Sequence, residues 1–586
     1  NVTVGGNLTV GAGGTITVMG KGYAVGKFPS GSAIGAHAAT YTGNSSHIYG
    51  DVYAPARCGS GGFSDNNSAS CGGGAIKLTV AGAAVIDGTL DAQSSTQSSA
   101  KNGNPEKGVG AGGSIFVTAA SISGCGTVIA SAYESNGTSY SSEAGSGGRI
   151  ALVATSGAVT IPNANLKCSG SFGGNGVGGG TIFIKNASDA HGTLLIEDRK
   201  AYASYNYGTH WPTKGRFAMV KAGETWTFDR ILFSGRGILS VPEGATLVLP
   251  NGFASISCAE NNSAPNAGIL YLGGTISVPD TATHELSGSW LFQAASPYSF
   301  PAGDVVLSDK AAIGCFELHS SGADPTNQPN CDVTVNGNLT IASGSSLLAE
   351  GRGHRSTSNA PYGGAHGGIG YGMDDTKAFD SILHPKYAGG SAGAGNGGVN
   401  NNVSGGAIKL TITGALTMNG AANVKSGQSS WGNNRAASGS LDITAGSLSG
   451  SGSFCADGLV SESTSVLSGA GGRIAIHLTG DGATFDDFDV TKITANAAMS
   501  TGKPDKAGSA GTVYLESGVA GTGTIIVKLT NSGVTTPTPI PSQTWGGEDD
   551  DLTKASLSIQ SYGIVRLAES LKMSSLTVGA NAKLDL

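Results

Sequence analysis

The side chains of this chain that could do chemistry recur at matched places. His37 closes a "GAH" (Gly35 to His37), and His366 closes another (Gly364 to His366). Arg149 stands in "GSGGRIALV", and Arg473 in "GAGGRIAIH". A histidine can ligate a metal or carry a proton, and an arginine can clamp a sugar carboxylate or a phosphate. Neither histidine has a second His, Cys or carboxylate at metal-ligand spacing in both copies. The sequence therefore names no metal ligand, and solvated loop histidines account for the pair. A repeated arginine beside a glycine turn is read as bonding backbone carbonyls of a neighbouring layer.

Three carboxylate groups could act as acid and base or hold Ca²⁺. They are Asp374 with Asp375, then Asp486, Asp487 and Asp489, and the run Glu548 to Asp551. They fall at unmatched places, where the other copy has Asn44, Ser45, Val159 and Thr160. Solvated loops explain them, and Ca²⁺ is the one ion they leave open. The tandem calcium repeat G-G-x-G-x-D, the phosphate loop and C-x-x-C are all absent from the sequence. No catalytic residue and no cofactor are assigned.

The eight cysteines suggest an oxidising setting. Cys58 and Cys71 bracket one Gly/Asn/Ser loop, and their counterparts are Ala388 and Val403. Cys125 and Cys168 align with Ser451 and Ala495, again replaced together, and Cys315 and Cys331 flank a third loop. Disulfides Cys58–Cys71, Cys125–Cys168 and Cys315–Cys331 are expected. Cys455 aligns with core-type Ile129 and is expected as a buried thiol; Cys258 is left open. The sequons at Asn7, Asn136, Asn186 and Asn338 arise readily by chance in so Asn- and Thr-rich a chain.

What positions these groups is a repeat. "NVTVGGNLTV" at Asn1 returns as "DVTVNGNLTI" at Asp332, and "GGAIKLTV" at Gly73 returns as "GGAIKLTI" at Gly405. Gly405 lies 332 residues after Gly73, and Arg473 lies 324 after Arg149, so one long pattern is written twice with small loop changes. Within each copy, small-residue turns open strands of period two: "GGAIKLTV", "GGSIFVTA", "GGRIALVA" and "GGTIFIKN". Ile76, Leu78 and Val80 should face inward, while Lys77, its match Lys409, and Thr79 stay wet. Such a unit cannot bury its apolar face without a neighbour above and below. The expected fold is all-β: a parallel β-helix or β-solenoid, right-handed, with glycines at corners that need positive φ. The expected organisation is 1–330 as a first repeat (1–189 glycine-rich, 190–330 richer in aromatics with tighter rungs) and 331–586 as a second, incomplete one.

Composition narrows the partners. Glycine is abundant at 97 of 586 residues and charge is sparse at 12%, but no Gly-X-Y period appears. A net charge of -7 gives no basic footprint for nucleic acid. No apolar run spans a membrane, and no signal peptide opens the chain. The stretch "GGSIFVTAASISGCGTVIASA" followed by "GSGGRIALV" resembles the glycine-rich β-solenoid repeats of very large bacterial surface and secreted proteins, adhesin-like or filamentous-haemagglutinin-like. The resemblance implies an extracellular or cell-surface fibre that binds surfaces, glycans or further copies of itself, with no catalytic residue to carry over. A carbohydrate-active solenoid enzyme and a glycan-binding spike are the alternatives. Neither end reads as a polar cap, which suggests a piece that abuts more of the same polymer.

Overall fold

In this computed structural model the described residues are all except 40–44, 63–69, 96–108, 134–144, 172–177, 199–216, 236, 260–267, 295–296, 316–330, 355–363, 373, 391–402, 428–435, 459–467, 499–503, 531, 541–549 and 568–569. Two compact units divide the chain. The first includes Asn1–Ser204, Pro212–Pro279 and Ser287–Leu291; the second includes Asp280–Leu286 and Phe292–Leu586. The repeat boundary at residue 331 lies inside the second unit.

In the first unit the chain makes laps of short strands. One lap is β1 (Val2–Val4), β2 (Leu8–Val10) and β3 (Thr15–Thr17), and the next is β4 (Ala75–Val80), β5 (Ala84–Ile86) and β6 (Thr89–Asp91). Then come β7 (Ser114–Ala119), β8 (Ile122–Ser123) and β9 (Thr127–Ile129), followed by β10 (Arg149–Ala154), β11 (Leu166–Lys167) and β12 (Gly180–Lys185). Three sheets gather these strands in lap order: β1, β4, β7, β10, β12; β2, β5, β8; and β3, β6, β9, β11. Pairing along these ladders is parallel, with Ile76 beside Ile115, Ile115 beside Ile150, and Ile150 beside Ile182. Leu90, Val128 and Leu166 form a second column on the third sheet.

The alternation in AIKLTV is what makes this work. Ile76, Leu78 and Val80 are buried, and Lys77 and Thr79 are exposed, as the period-two reading requires. Each buried Ile or Leu stabilises by about 1.5–3 kcal/mol. The second unit repeats the scheme, with Ala407–Ile412, Ser440–Ala445, Arg473–Leu478 and Thr512–Ser517 in one parallel ladder. Lys409 stays exposed beside Asp332, 3.8 Å away. In 190–330, parallel strands Thr225–Thr227, Thr246–Val248 and Thr275–Ser277 follow at 21 and 29 residues, tighter than the 39 from β4 to β7.

Two findings depart from expectation. Each copy holds a reversal of the parallel ladder: β12 pairs antiparallel with β13 (Thr193–Asp198), and Thr512–Ser517 pairs antiparallel with Thr524–Leu529. The glycines that open the strands also serve a different purpose. Gly73, Gly112, Gly147, Gly405 and Gly471 do not have positive φ. Instead, a Cβ on Gly147 would be driven into the carbonyl oxygen of Cys168, and one on Gly73 into that of Ala92. Glycine is needed there because two backbones touch where the lap closes. Gly147→Ala should cost about 3 kcal/mol, the top of the overpacking range, in the urea midpoint. Gly11→Ala, where nothing lies within 4 Å, should leave the midpoint unchanged.

Candidate functional site

Seen along a strand, Ser114, Arg149 and Thr181 point outward from the first ladder, the side expected to be wet. They are nevertheless buried, because an excursion, described at 33–39 and 45–60, lies over them. His37 is fully buried there, not solvated as its loop position suggests. Its Nδ1 bonds the Gly112 carbonyl at 2.7 Å, and its ring stacks on Tyr49 with centroids 4.7 Å apart. Arg149 donates from Nε to the Tyr49 carbonyl at 3.0 Å and from Nη1 to Thr181 Oγ1 at 3.0 Å. Ser114 Oγ donates to the Arg57 carbonyl. The arginine does bond a backbone carbonyl, as expected, but that of the covering excursion; its bond to the next lap goes to a threonine hydroxyl.

The second unit builds the same station from matched residues. His366 Nδ1 bonds the Ser438 carbonyl at 2.8 Å, Arg473 donates to the Phe379 carbonyl at 3.1 Å and to Thr512 Oγ1 at 2.8 Å, and Ser440 donates to the Tyr387 carbonyl at 2.7 Å. His366 is fully buried as well.

One substitution changes what the histidine's Nε2 meets. After Tyr49 comes Gly50, with φ of 81°; after Phe379 comes Asp380, with φ of 77°. Asp380 keeps this left-handed backbone and fills the space beside the histidine. Its Oδ2 lies 3.0 Å from His366 Nε2, and its oxygens also accept from Ser381, Lys386 and Tyr387 amides and from Ser440 Oγ. Burial pushes this carboxyl up, but the His366 bond and the charges of His366 and Arg473 outweigh it, so Asp380 sits below the usual carboxylate range. In the first station Nε2 of His37 has no hydrogen-bond partner among the described residues. There burial, with the Arg149 charge added, lowers the histidine to about 3. Burial also lowers Arg149 to about 10, so it stays charged at neutral pH.

Ser440, His366 and Asp380 have the residue types of a nucleophilic triad, but not its geometry. In a relay one ring nitrogen faces the serine and the other the carboxylate. Here Ser440 Oγ at 3.2 Å and Asp380 both lie on Nε2, while Nδ1 is held by a carbonyl. All three side chains are fully buried. The arrangement fastens an excursion to a sheet.

The expected carboxylate groups are not brought together. Asp375 pairs with Arg566 at 3.1 Å, Asp489 accepts from the Thr491 amide, Asp551 accepts from the Thr553 amide, and Asp550 binds Ser381 and the Ile382 amide. Asp374 is exposed, Asp486 bonds Thr484, and the Asp487 carbonyl accepts from Gly450. Glu548 and Asp549 lie outside the described residues, as does Asn136. Asn7 and Asn338 are matched braces whose side chains accept from the Ala83 and Ala415 amides of the next lap. Asn186 bonds Asp189 and the Val159 amide.

None of the three expected disulfides is formed; Cys58, Cys71, Cys125, Cys168, Cys315 and Cys331 are free thiols. For Cys125 and Cys168 the register gives the reason. Leu166 pairs with Val128 and Lys167 with Ile129, which sets Cys168 beside Ala130 while Cys125 is exposed at the preceding corner. The Cys168 thiol lies 2.9 Å from the Gly148 carbonyl, and Cys315 donates to that of Ala407. Cys455 is half-buried beside Thr494, not in the core, and Cys258 is half-buried too. Titration in denaturant without reductant should therefore count eight thiols, with Cys125 labelled first in the native protein. Burial and Glu197 push the Cys168 thiol well above its ordinary value, so it should react last. A count of six or fewer would restore a disulfide.

Fold and station together define an all-β protein of stacked parallel sheets with covering excursions. Comparison with protein-family models, with curated proteins and with solved structures gives no match. Among the described residues no helix is long and apolar enough to cross a membrane.

Proposed function

We propose that this chain is a structural, adhesive segment of a long extracellular or cell-surface fibre, each unit being a stretch of β-solenoid. The observation that carries this reading is the pair of stations. At both, the ladder's arginine and serine bond carbonyls of the excursion, the excursion's histidine bonds a carbonyl beside the ladder, and these polar atoms hold the coat in place. A polysaccharide lyase or glycosidase uses acidic and basic side chains displayed on an open sheet face. Here Asp375, Asp489, Asp550 and Asp551 cap turns and tie loops, and Asp442 and Glu516, which do stand on ladder strands, are buried. The fibre's partners on this reading are further copies of the same solenoid, stacked end to end, and surface glycans.

The test has two arms. Purified protein is incubated with acidic and neutral polysaccharides, and reducing ends and unsaturated uronates are followed. Native material is imaged by negative stain. Continuous fibres with no released product are the expected result. Sustained depolymerisation by discrete particles would replace this reading with the enzyme one.

A further inference from the structure

The second unit holds another cluster that its counterpart lacks. His384, Asp442, His477 and Glu516 align with Ala54, Phe116, Val153 and Lys185, so four positions without metal-binding side chains in one copy are imidazole or carboxylate in the other. Asp442 lies on Ser440–Ala445, His477 on the neighbouring Arg473–Leu478, and Glu516 on the next strand, Thr512–Ser517; His384 comes from the covering excursion. The ligand atoms of His384, Asp442 and His477 all lie within 4.8 Å of one another. His477 Nε2 is 3.6 Å from Asp442 Oδ1, and His384 Nδ1 is 3.8 Å from Asp442 Oδ2.

We propose that His384, Asp442 and His477 bind one divalent transition-metal cation of the zinc class, clamping the excursion to the ladder.

Three observations carry it. Asp442 is 7% exposed, and its Oδ1, turned to His477, has no hydrogen-bond partner among the described residues. A buried carboxylate oxygen left unmatched is costly, and a cation resolves it. Secondly, His477 Nδ1 faces Glu516 Oε1 at 2.9 Å, and Glu516 is held in turn by Tyr514 Oη at 2.6 Å. A carboxylate behind one ring nitrogen leaves the other with its lone pair forward, which is how metal-binding histidines are oriented. Nε2 then points at oxygens, those of Asp442 and of the Leu383 carbonyl 2.9 Å away, where a proton or a metal ion fits. Thirdly, the His384 side chain is 68% exposed and stacks on His477 at 4.6 Å, so it can swing inward and leaves an entry path.

Zinc wants ligand atoms at about 2.0–2.2 Å in a tetrahedron. The spacings here need contraction of about 1 Å, within reach of an exposed histidine. Two imidazoles and a carboxylate suit zinc, cobalt or nickel, and not Ca²⁺ or Mg²⁺, which prefer oxygen ligands.

The test uses the whole chain stripped with chelator. Zn²⁺ is titrated against a chromophoric competitor, and Co²⁺ uptake is followed by its visible spectrum. One equivalent should bind. His384→Ala, at an exposed side chain, and the isosteric Asp442→Asn should each weaken binding at least about tenfold, and Glu516→Gln by about 10–100-fold. His191→Ala, an exposed histidine of the first unit, should change nothing. Absence of uptake, or equal affinity in wild type, His384→Ala and Asp442→Asn, would overturn the proposal.

Discussion

Asp380→Asn should destabilise the second unit by about 3–5 kcal/mol, the cost of breaking a buried charge pair from one side. The Ser381, Lys386 and Tyr387 amides can only donate, and they reach both oxygens of this carboxylate, Ser381 on Oδ1 and Tyr387 on Oδ2. An asparagine places an NH₂ group against donors whichever way it turns. It also removes the negative charge from a space shared with buried Arg473. Asparagine tolerates the left-handed backbone at φ of 77° about as well as aspartate, so strain does not confound the result. Because the whole chain need not unfold in one step, the loss should be read from hydrogen exchange in second-unit peptides. The charge also sets a pH limit. Asp380 titrates below its unfolded value, so its contribution is present above the usual carboxylate range and is lost as pH falls through the depressed value.

The first station should be acid-labile over a different window. His37 is held near 3 when folded and returns to about 6.5 when unfolded. Between those values the unfolded chain binds the extra proton, so stability falls as pH falls. The slope should be about 1.4 kcal/mol per pH unit, and the total roughly 5 kcal/mol by pH 3. Gly50→Asp copies the second station's solution. The glycine already has the required backbone, and a Cβ there would stand 3.1 Å from His37 Nε2. A carboxylate beside Nε2 favours the protonated ring, so the variant's unfolding midpoint should vary less than wild type's between pH 6.5 and 4. An unchanged slope would mean that His37 does not titrate on unfolding.

The ladder was legible because one residue type at every second position of "AIKLTV" has a single physical reading, and because "GGAIKLTI" repeats it. The outward face was not legible. Parity says that Arg149, Ser114 and Thr181 point away from the core, but nothing in their spacing says that His37, Tyr49 and Arg57 return to cover them. The histidines were misjudged for the same reason: "GAH" reads as a loop and is a buried brace. Glycine takes positive φ at corners such as Gly13, Gly244 and Gly344, as expected, but at the strand openings a close approach between backbones leaves the same letters. His384, Asp442 and His477 are far apart in sequence and meet through parallel register. The signal that could have found them was present: one copy carries ionisable side chains where the other carries Ala54, Phe116 and Val153.

The central claim is that the matched stations fasten excursions to the ladder. Hydrogen exchange of Arg473→Met against wild type tests it most directly. Arg473 bonds the Phe379 carbonyl in the excursion and Thr512 on the ladder. Peptides spanning 364–390 should lose protection, while those of Ala407–Ile412 and Ser440–Ala445 keep theirs. Unchanged exchange across 364–390 would contradict the claim.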